Sequence, residues 1–354
     1  MQLAIVADDL TGALDVSAPI AAHGLRVVVA ASPDATDQAV SSGADVVVVN
    51  TLSREGSVED ARIAVATVSQ KLAAARPLLA LKKVDSRLKG HVAVEVEAMM
   101  VAFGRSKAVV APAVPSQGRT VEAGRVIGSG VASPISISSV MGDIPFEAPD
   151  TADMGELDSL VRNLASDALP VGASGLGLAV ARLLGRNSAS LLQPVGPLLV
   201  AVGSHDPITL RQVDVAIAGR AFNHLVSRDG SLAEAGDGPL LAQAMVPRDG
   251  DFAAAMARFG RSVADILREG KFATALLTGG ETAQSVLREL DIDCLEVLGE
   301  VLPGIAAARA LSGERNLTIL TKSGGFGTPD DILRLAAATQ GTVSFTDYAL
   351  AGGQ

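Results

Sequence analysis

The sequence has no tryptophan, one tyrosine and one cysteine, and each of these scarcities excludes a class of protein. The single cysteine, Cys294, cannot form an internal disulfide or a cysteine-based zinc site. The four histidines lie far apart, without the HxxxH or HExxH spacing of a metal-binding helix. Aromatic residues make up only 3% of the chain, so the core has to be built from Ala, Val, Leu and Ile. Charged residues are also few, at 19% against 48% hydrophobic, which excludes intrinsic disorder.

Signals for export and for membrane insertion are missing as well. The N-terminus, MQLAIVADD, has no basic segment and does not resemble a signal peptide. The uncharged stretch at residues 187–204 is interrupted by Pro194, Gly196, Pro197 and Gly203, which excludes a membrane span there. Acidic residues outnumber basic ones by 39 to 29, which does not suit nonspecific binding to a nucleic-acid backbone. We therefore predict a cytoplasmic protein that binds neither nucleic acid nor membrane.

What the sequence does have is a series of short apolar runs, each followed by a polar or glycine-rich cluster. Continuous apolar runs are typical of strands buried on both faces, as in parallel sheets. Helical patterns lie between them, and the clearest, at Ser57–Arg76, opens with an S-x-x-D capping signal. The alternation predicts two α/β domains, each with a mostly parallel sheet covered by helices, and a ligand cleft between the domains. The runs are Leu3–Ala7, Val27–Ala31, Val46–Val49, Leu78–Leu81, Ala108–Ala111, Leu198–Val202, Thr274–Leu277 and Leu317–Leu320.

The predicted domain boundary lies in the uncharged stretch Asn187–Pro197, which contains two prolines. It divides the chain into domains at residues 1–190 and 191–354. Within the first domain, the Ser-, Pro- and Gly-rich segment Gly128–Asp150 is predicted to be an irregular excursion. The glycine-rich segment Gly172–Leu178 lacks the full G-x-G-x-x-G spacing of a dinucleotide site, and we predict a packed turn before a helix at Leu178–Leu184.

Four polar clusters follow strands of the first domain: Asp8–Ala13, Asn50–Arg54, Lys82–Arg87 and Pro112–Arg119. Because ligands of open parallel sheets bind beyond the carboxyl ends of the strands, we expect these clusters to share one sheet edge. Their acids, hydroxyls and cations suit a small polyhydroxylated anion. Structural explanations remain open for each cluster alone, since Asp9 or Thr11 could cap the next helix and Asp85 could pair with a lysine.

The second domain has a different chemistry at its strand ends, where Gly, Ser and Thr dominate Val202–Pro207, Thr278–Thr282 and Thr321–Gly327. Glycine lets a backbone approach an anion closely, and a helix N-terminus directs free N–H groups at it. Ser and Thr hydroxyls add donors, and Lys322 could add a point charge. The pattern predicts a nucleotide phosphate site that is not a Walker A loop, although the Gly-Gly pairs could also be simple tight turns.

These motifs together resemble those of the four-carbon acid sugar kinases, in the same order and over almost the whole chain. The resemblance implies an N-terminal domain for the acid sugar and a C-terminal domain for ATP. It also implies ATP-dependent phosphorylation of the terminal hydroxyl of a substrate such as threonate, erythronate or 3-oxo-tetronate. The segments that carry it are Ala7–Asp15, Asn50–Arg54, Lys82–Ser86, Pro115–Arg119, Gly203–Ser204, Gly279–Ala283, Pro303–Gly304 and Lys322–Gly327. One departure stands out, because Arg87 replaces the small hydroxyl residue of the family's Asp-Ser-Thr-Leu-Arg-Gly-Asn pattern.

The resemblance implies a set of site residues for such a kinase. Asp9 or Asp85 would be catalytic, orienting or deprotonating the attacking hydroxyl, and Arg54, Lys83 and Arg119 would hold the carboxylate. The full substrate-binding set is Asp8, Arg54, Lys83, Ser86, Arg87, Gly118 and Arg119. The nucleotide-binding set is Ser204, Thr278, Gly279, Gly280, Glu281, Thr282, Lys322, Gly324 and Gly325. Mg²⁺ is expected with ATP because it bridges phosphate oxygens. The metal ligands and the oligomeric state stay open, with a homodimer as one option.

Two other functions compete with the kinase. A nicotinamide-dependent sugar-acid dehydrogenase could use a similar framework, but it would need a G-x-G-x-x-G segment after the first strand, which is absent. A non-catalytic, two-lobed sugar-acid-binding protein would have no use for three glycine-rich phosphate loops. The sequence therefore favours the kinase.

Overall fold

A computed structural model describes residues 1–186, 191–246, 251–312 and 316–345. The chain divides into two compact units, Met1–Ala189 and Ser190–Gln354. Of the linker predicted at Asn187–Pro197, residues 187–190 lie outside the described residues, and residues 191–197 form no helix or strand. In the described ranges, every helix is too short or too polar to cross a lipid bilayer.

The N-terminal unit is organised around a parallel sheet. Its strands are β1 (Leu3–Ala7), β2 (Val27–Ala30), β3 (Val46–Asn50), β4 (Leu79–Lys83), β5 (Lys107–Ala111), β6 (Arg119–Glu122), β7 (Arg125–Gly128), β8 (Ile135–Ser136), β9 (Phe146–Glu147) and β10 (Ala168–Gly172). The sheet has the order β2-β3-β1-β4-β10-β5-β9, with every neighbouring pair parallel. Strands β1, β2 and β3 are buried along their whole length, as their uninterrupted apolar sequences predict. Strands β6, β7 and β8 form a separate antiparallel sheet.

The helices of this unit are α1 (Leu10–Ala22), α2 (Thr36–Ser41), α3 (Val58–Ala74), α4 (Val92–Phe103), α5 (Ile137–Met141), α6 (Met154–Arg162) and α7 (Ser174–Leu184). Helix α3 shows how the sequence sets their ends. The Ser57 hydroxyl accepts a hydrogen bond from the Asp60 amide at 3.1 Å, which is the predicted cap. Helix α3 then buries the apolar stripe that its 3.6-residue period places on one face, and its last residue is Ala74.

The C-terminal unit also has parallel strands covered by helices, to which two antiparallel strands are added. Its strands are β11 (Leu198–Val202), β12 (Asn223–Ser227), β13 (Leu240–Ala244), β14 (Thr274–Thr278), β15 (Cys294–Leu302), β16 (Ile305–Ala310) and β17 (Thr318–Lys322), and its helices are α8 (Pro207–Ala218), α9 (Phe252–Arg268), α10 (Gly280–Glu289) and α11 (Asp331–Thr339). Strands β12-β13-β11-β14-β17 are parallel neighbours, whereas β16 and then β15 continue the sheet in antiparallel pairing. Among the described residues, the core of this unit includes Val200, Leu276, Leu320 and Phe345.

The predicted α/β class is confirmed. All eight apolar runs belong to strands, although the predicted ends differ by a few residues. Several strands were not predicted. Strand β10 contains Pro170, which normally argues against a central strand, yet β10 lies between β4 and β5 with Pro170 opposite Val109. Strands β12, β13, β15 and β16 were also missed.

Two local predictions are wrong. The segment Gly172–Leu178 is not a turn before the helix, because α7 already begins at Ser174. Its glycines serve packing instead: a Cβ atom on Gly175 would lie 2.3 Å from the Ala113 carbonyl oxygen, and one on Gly177 would lie 2.4 Å from a Val16 methyl. The segment Gly128–Asp150 is not wholly irregular, since it contains β8, α5 and β9.

Candidate functional site

Three of the four polar clusters of the N-terminal unit follow adjacent strands. Strands β3, β1 and β4 are neighbours and run in the same direction, so the residues after Asn50, Ala7 and Lys83 emerge at one edge. The fourth cluster follows β5, which is separated from β4 by β10. The sheet topology therefore brings the predicted substrate residues to one edge.

Asp8, Asp9 and Arg54 form a closed ion-pair group at this edge. Arg54 donates to Asp8 through Nε at 2.7 Å and Nη2 at 2.8 Å, and its Nη1 lies 2.8 Å from Asp9. Asp8 is only 2% exposed. Burial alone would raise the pKa of Asp8, but Arg54, Lys82 and Lys83 together hold it below its ordinary value. Arg54 was predicted to hold the substrate carboxylate, and its guanidinium here binds two carboxylates of the chain itself.

Asp9 also caps α1, which is the structural alternative left open by the sequence. Its carboxylate accepts from the Gly12 amide at 3.0 Å and from the Thr11 hydroxyl at 2.7 Å. A Cβ atom on Gly12 would lie 2.4 Å from Asp9 Oδ1 and 3.0 Å from Lys83 Nζ. Glycine is therefore needed at the start of α1, where the Asp9 carboxylate and the Lys83 ammonium both approach the backbone.

Asp85 lies in a turn after β4 and is held by its near neighbours. It accepts from the Arg87 amide at 2.9 Å and lies 3.6 Å from Lys89 Nζ. Burial raises the pKa of Asp85, and the stronger combined effect of Lys89, Arg54 and Lys83 lowers it below its usual range. Asp85 is therefore charged throughout the physiological pH range.

Arg119 and Arg87 bring two guanidinium groups close to each other. Arg119 is 7% exposed, donates to the Ser86 hydroxyl through Nη1 and to the Ser129 carbonyl through Nε at 3.0 Å. Burial and then the charge of Arg87 lower the pKa of Arg119. Within the described ranges, neither guanidinium has a carboxylate within 4.0 Å. Gly118, with φ of +65°, makes the turn that leads into Arg119.

Lys82 and Lys83 are adjacent in sequence but differ in role. Lys82 is fully buried and pairs with Glu95 at 2.8 Å, while Glu95 also accepts from the Ser53 hydroxyl at 2.6 Å. This network ties β4 to α4 and to the loop after β3. Lys83 is 4% exposed, donates to the Val84 carbonyl at 2.9 Å and lies beside Gly12. Glu95 was not identified from the sequence, because nothing in its helix marks it as buried.

Asp15 is a further candidate that sequence analysis missed, although it closes the Ala7–Asp15 motif. Burial raises its pKa to about 6, against the opposing effects of Lys83 and a hydrogen bond from Ser174. Arg119 and Asp9 also influence this carboxyl group electrostatically. The sequence feature that could have identified Asp15 is its position on α1, five residues after Leu10 and on the helix that Asp9 caps.

The three glycine-bearing strand ends of the C-terminal unit converge on Ser204. Strands β11, β14 and β17 are neighbours, so the residues after Val202, Thr278 and Lys322 share one edge. A Cβ atom on Gly279 would lie 3.6 Å from Ser204 Cβ, and one on Gly324 would lie 2.4 Å from Ser204 Oγ. Gly279 has a φ of +88° and precedes the first turn of α10. This close approach of backbone segments around one hydroxyl is typical of an anion site.

The other predicted nucleotide residues surround this point in different ways. Thr278 is buried and donates to the Ala201 carbonyl at 3.2 Å, so its hydroxyl stabilises the sheet. Thr282 is buried beside Gly203, where a Cβ atom would lie 2.1 Å from its hydroxyl. Gly280 and Glu281 form the first turn of α10, and Glu281 is exposed. Gly325 lies beside Asp206, which caps α8.

Comparison with known proteins assigns each unit to a described domain type. Residues 3–143 match the sugar-binding N-terminal domain, and residues 199–332 match the nucleotide-binding C-terminal domain. The chain is 31% identical over 270 residues to the D-threonate kinase of Salmonella typhimurium, covering 62% of each chain. It is 30% identical over 251 residues to the D-threonate kinase of Bordetella bronchiseptica, covering 59% of this chain and 61% of that one. The chain thus spans about six tenths of the length of these curated relatives.

More distant similarities are found to a further curated relative and to two solved structures. A 3-oxo-tetronate kinase of Brucella melitensis is 27% identical over 190 residues, covering 48% of this chain and 41% of that one. A solved Haemophilus influenzae protein superposes with a TM-score of 0.70 at 22% identity, covering 96% of this chain and all of that one. A solved Salmonella typhimurium protein gives a TM-score of 0.75 at 18% identity, covering 96% and 98%. The two solved structures support the fold alone.

Proposed function

Since the chain belongs to the four-carbon acid sugar kinase family, we propose that it is an ATP-dependent kinase of a small sugar acid. The acceptor would be the terminal hydroxyl of a four-carbon acid such as threonate, erythronate or 3-oxo-tetronate. The observation that carries the proposal is the convergence of Ser204, Gly279 and Gly324 at one sheet edge of the C-terminal unit. Phosphate groups suit such an edge, because backbone amides and a helix N-terminus supply donors without requiring net positive charge.

The sugar acid would bind at the charged edge of the N-terminal unit. Arg119 and Lys83 would hold its carboxylate, since an arginine offers a planar pair of donors and a lysine a compact charge. Arg54 would contribute indirectly, because its bonds to Asp8 and Asp9 fix the two carboxylates that would bind the sugar hydroxyls. Ser86, Arg87 and Gly118 complete the predicted set around Arg119.

Three carboxylates are candidates for the group that orients or deprotonates the attacking hydroxyl. Asp9 and Asp85 were predicted from the sequence, and Asp15 joins them from the structure. Both Asp9 oxygens already accept hydrogen bonds, and Asp85 is a weak base because its pKa is lowered. Asp15 has a pKa of about 6, which is close to the value that suits a base near neutral pH. We therefore favour Asp15 as the proton acceptor.

Mg²⁺ would accompany ATP, and the C-terminal unit has a carboxylate that could help to hold the ion. The described residues contain no group of three or more His, Cys, Asp or Glu side chains that could hold a metal. A kinase does not need such a group of three side chains, since Mg²⁺ is usually held by one or two carboxylates together with the substrate phosphates. Asp206 would be such a carboxylate: Oδ1 accepts from the Ile208 amide at 2.9 Å, and Oδ2 faces Gly325. The ion would offset negative charge on the phosphates.

The proposal is tested by measuring ADP release from Mg-ATP with a panel of four- to six-carbon sugar acids. Release that depends on a four-carbon acid, with the phosphorylated acid as product, is the expected result. The same panel with NAD tests the dehydrogenase alternative through NADH absorbance. A folded protein that binds the acids, releases no ADP and reduces no NAD would instead be a binding protein, and the kinase proposal would be wrong.

A further inference from the structure

Lys322, the last residue of β17, has its ammonium group beneath the glycine loop and not on an open surface. The side chain is 1% exposed. Nζ donates to the Ser323 and Phe326 carbonyls at 3.0 Å each, to the Gly324 carbonyl at 3.4 Å and to the Thr209 hydroxyl at 3.0 Å. Four oxygen atoms therefore surround one buried cation, and three of them belong to the loop that follows β17.

The orientation of these carbonyls fixes where the loop amides point. In a trans peptide unit the C=O and N–H bonds point in opposite directions. The Ser323 and Gly324 carbonyls face Lys322, and the Gly324 carbonyl also accepts from the Thr209 hydroxyl at 2.7 Å. The amides of Gly324 and Gly325 must then face away from Lys322. Across the described ranges these two amides have no hydrogen-bond acceptor, so they are available to an anion.

We propose that Lys322 is a positioning residue, which holds three loop carbonyls inward so that the Gly324 and Gly325 amides face the nucleotide phosphates. The identity of the ligand rests on the proposed kinase function. The ammonium acts like an internal cation: it binds carbonyl oxygens, and it reaches the ligand only through the peptide units that it orients. A lysine that contacts phosphate directly would need a free N–H, whereas the three protons of Lys322 Nζ already face four oxygen acceptors of the chain.

The electrostatic surroundings make this role sensitive to pH. Burial lowers the pKa of Lys322 to about 8, against the opposing effects of Asp331 on α11 and Asp206 at the start of α8. Arg334 lies 3.5 Å from Asp331 and reduces the influence of that carboxylate. When the ammonium loses its proton, it has two donors for four oxygen atoms. The loop should then loosen, and phosphate affinity should fall as pH rises through about 8.

Protein stability should change in the opposite direction over the same range. The unfolded chain keeps the Lys322 proton up to its ordinary pKa, whereas the folded chain loses it near pH 8. Between these values the unfolded state binds more protons, so the contribution of Lys322 to stability rises with pH. A fall in nucleotide affinity without a fall in stability would therefore identify the loop and exclude general unfolding.

The test compares the full-length protein with its Lys322→Met variant, with Lys271→Met as the control. Lys271 is exposed in the same unit and pairs with Glu269, so this substitution changes the net charge equally without touching the loop. Hydrogen exchange in the loop is measured without nucleotide at the Phe326 amide, which donates to the Ser323 carbonyl at 3.2 Å. Binding of Mg-ADP is measured by calorimetry between about pH 7.5 and about pH 9.5, well above the second phosphate pKa of about 6, so that the phosphate charge stays nearly constant. Thr209→Val provides a second, milder variant in case Lys322→Met does not fold.

We expect this loop exchange to be at least about tenfold faster in Lys322→Met than in the control, because Lys322 no longer holds the Ser323 carbonyl that accepts from the Phe326 amide. Mg-ADP affinity should fall by about tenfold or more, and in the wild type it should fall as pH rises through about 8. Thr209→Val should show smaller changes in the same directions. Unchanged loop exchange together with weakened Mg-ADP binding would mean that Lys322 contacts phosphate directly, and the inference would be wrong. Unchanged loop exchange and unchanged affinity would also overturn it. If the wild type bound no Mg-ADP, the kinase proposal would fail, and the exchange measurement would still decide the role of Lys322.

Discussion

At the residue scale, the carboxylates of the N-terminal unit differ in the groups that already bind them. Asp8 is saturated by Arg54, and Asp9 accepts from a helix amide, a hydroxyl and Arg54. Asp85 is ion-paired with Lys89. The pKa of Asp15 is raised to about 6, whereas the pKa values of Asp8 and Asp85 are lowered. The different surroundings of these chemically identical side chains therefore leave Asp15 able to exchange a proton near neutral pH and keep Asp8 and Asp85 ionised.

We expect Asp15→Asn to abolish a pH-dependent step. An acid with a pKa of about 6 must be ionised to accept a proton, so wild-type kcat should rise with pH through about 6. In the variant, kcat should no longer rise with pH through this range. Its kcat should also be lower by about 10²- to 10⁴-fold. Rates from pH 5 to pH 8, together with Mg-ADP affinity as a control for folding, check this. Asp9→Asn and Asp85→Asn are matched variants in which kcat should still rise with pH. If kcat of Asp15→Asn still rises with pH through about 6, Asp15 is not the base.

A second prediction at this scale concerns Gly324. A methyl group at this position would lie 2.4 Å from Ser204 Oγ and 3.0 Å from Asp206 Cβ, so the loop or Ser204 must shift. We expect Gly324→Ala to weaken Mg-ADP binding by about tenfold, equivalent to roughly 1.4 kcal/mol. Gly236→Ala is the control, because its new methyl group would meet only Asn223 Nδ2, at 3.8 Å. Equal affinities in the two folded variants would make the Gly324 loop a simple turn.

At the scale of secondary-structure elements, the contact between α7 and α1 depends on glycine. Gly177 lies on α7 against Val16 of α1, and an added methyl group would lie 2.4 Å from a Val16 methyl and 3.2 Å from its carbonyl oxygen. This explains why a glycine-rich segment is a helix here: small residues let two helices approach closely. The low helix propensity of the glycines is offset by the close packing that they allow.

Gly177→Ala should therefore destabilise the protein, although alanine is the better helix former. Overpacking typically costs about 1–3 kcal/mol, which exceeds the gain of about 1 kcal/mol from helix propensity. We expect a net loss of about 1 kcal/mol in urea unfolding. Gly155→Ala on α6 is the matched control, because Gly155 is exposed and its new methyl group would meet only the Asp153 carboxylate, at 3.2 Å. A stabilised Gly177→Ala variant would show that α1 and α7 can separate at little cost.

The strands illustrate what the sequence could and could not predict. The buried strands β1, β3 and β11 were found because uninterrupted apolar runs of this length are typical of strands buried on both faces of a parallel sheet. Strand β10 was missed because Pro170 lacks the amide that a central strand normally uses. The hairpin β15–β16 was missed because Glu296, Gly299 and Glu300 interrupt the apolar residues of Cys294–Leu302, which gives a weaker signal than a continuous run.

The candidate site also has features that the sequence predicts and features that it does not. Topology alone predicts which strand ends meet, so Ser204, Gly279 and Gly324 could be grouped from their order in the chain. Which charges pair within a group depends on side-chain distances, and the sequence could not show that Arg54 binds Asp8 and Asp9. Nor could it show that Lys322 is buried beneath the loop it precedes. Resemblance to a family supplied the ligands that chemistry alone left open.

At the scale of the whole molecule, two units carry two kinds of chemistry. The N-terminal unit holds the acids, arginines and lysines that suit a sugar acid, and it matches the sugar-binding domain. The C-terminal unit holds the glycine loops and matches the nucleotide-binding domain. Each has its own strands and helices, and the boundary between Ala189 and Ser190 separates the units along the chain. Such a division lets each unit be tested separately for its own ligand.

We expect the isolated C-terminal unit, Ser190–Gln354, to bind Mg-ADP. Its core residues and every predicted nucleotide contact, from Ser204 to Gly325, lie within it. Its Kd should be within about tenfold of that of the whole chain, because the first-unit contribution to nucleotide binding is predicted to be small. Mg-ADP at about 100 times Kd should stabilise it by about 2.7 kcal/mol, which a thermal melt detects as a rise in Tm. Sugar acid alone should leave that Tm unchanged, whereas it should raise the Tm of Met1–Ala189. A folded Ser190–Gln354 whose Tm ignores Mg-ADP, while the whole chain responds, would mean that the nucleotide site requires residues of the first unit.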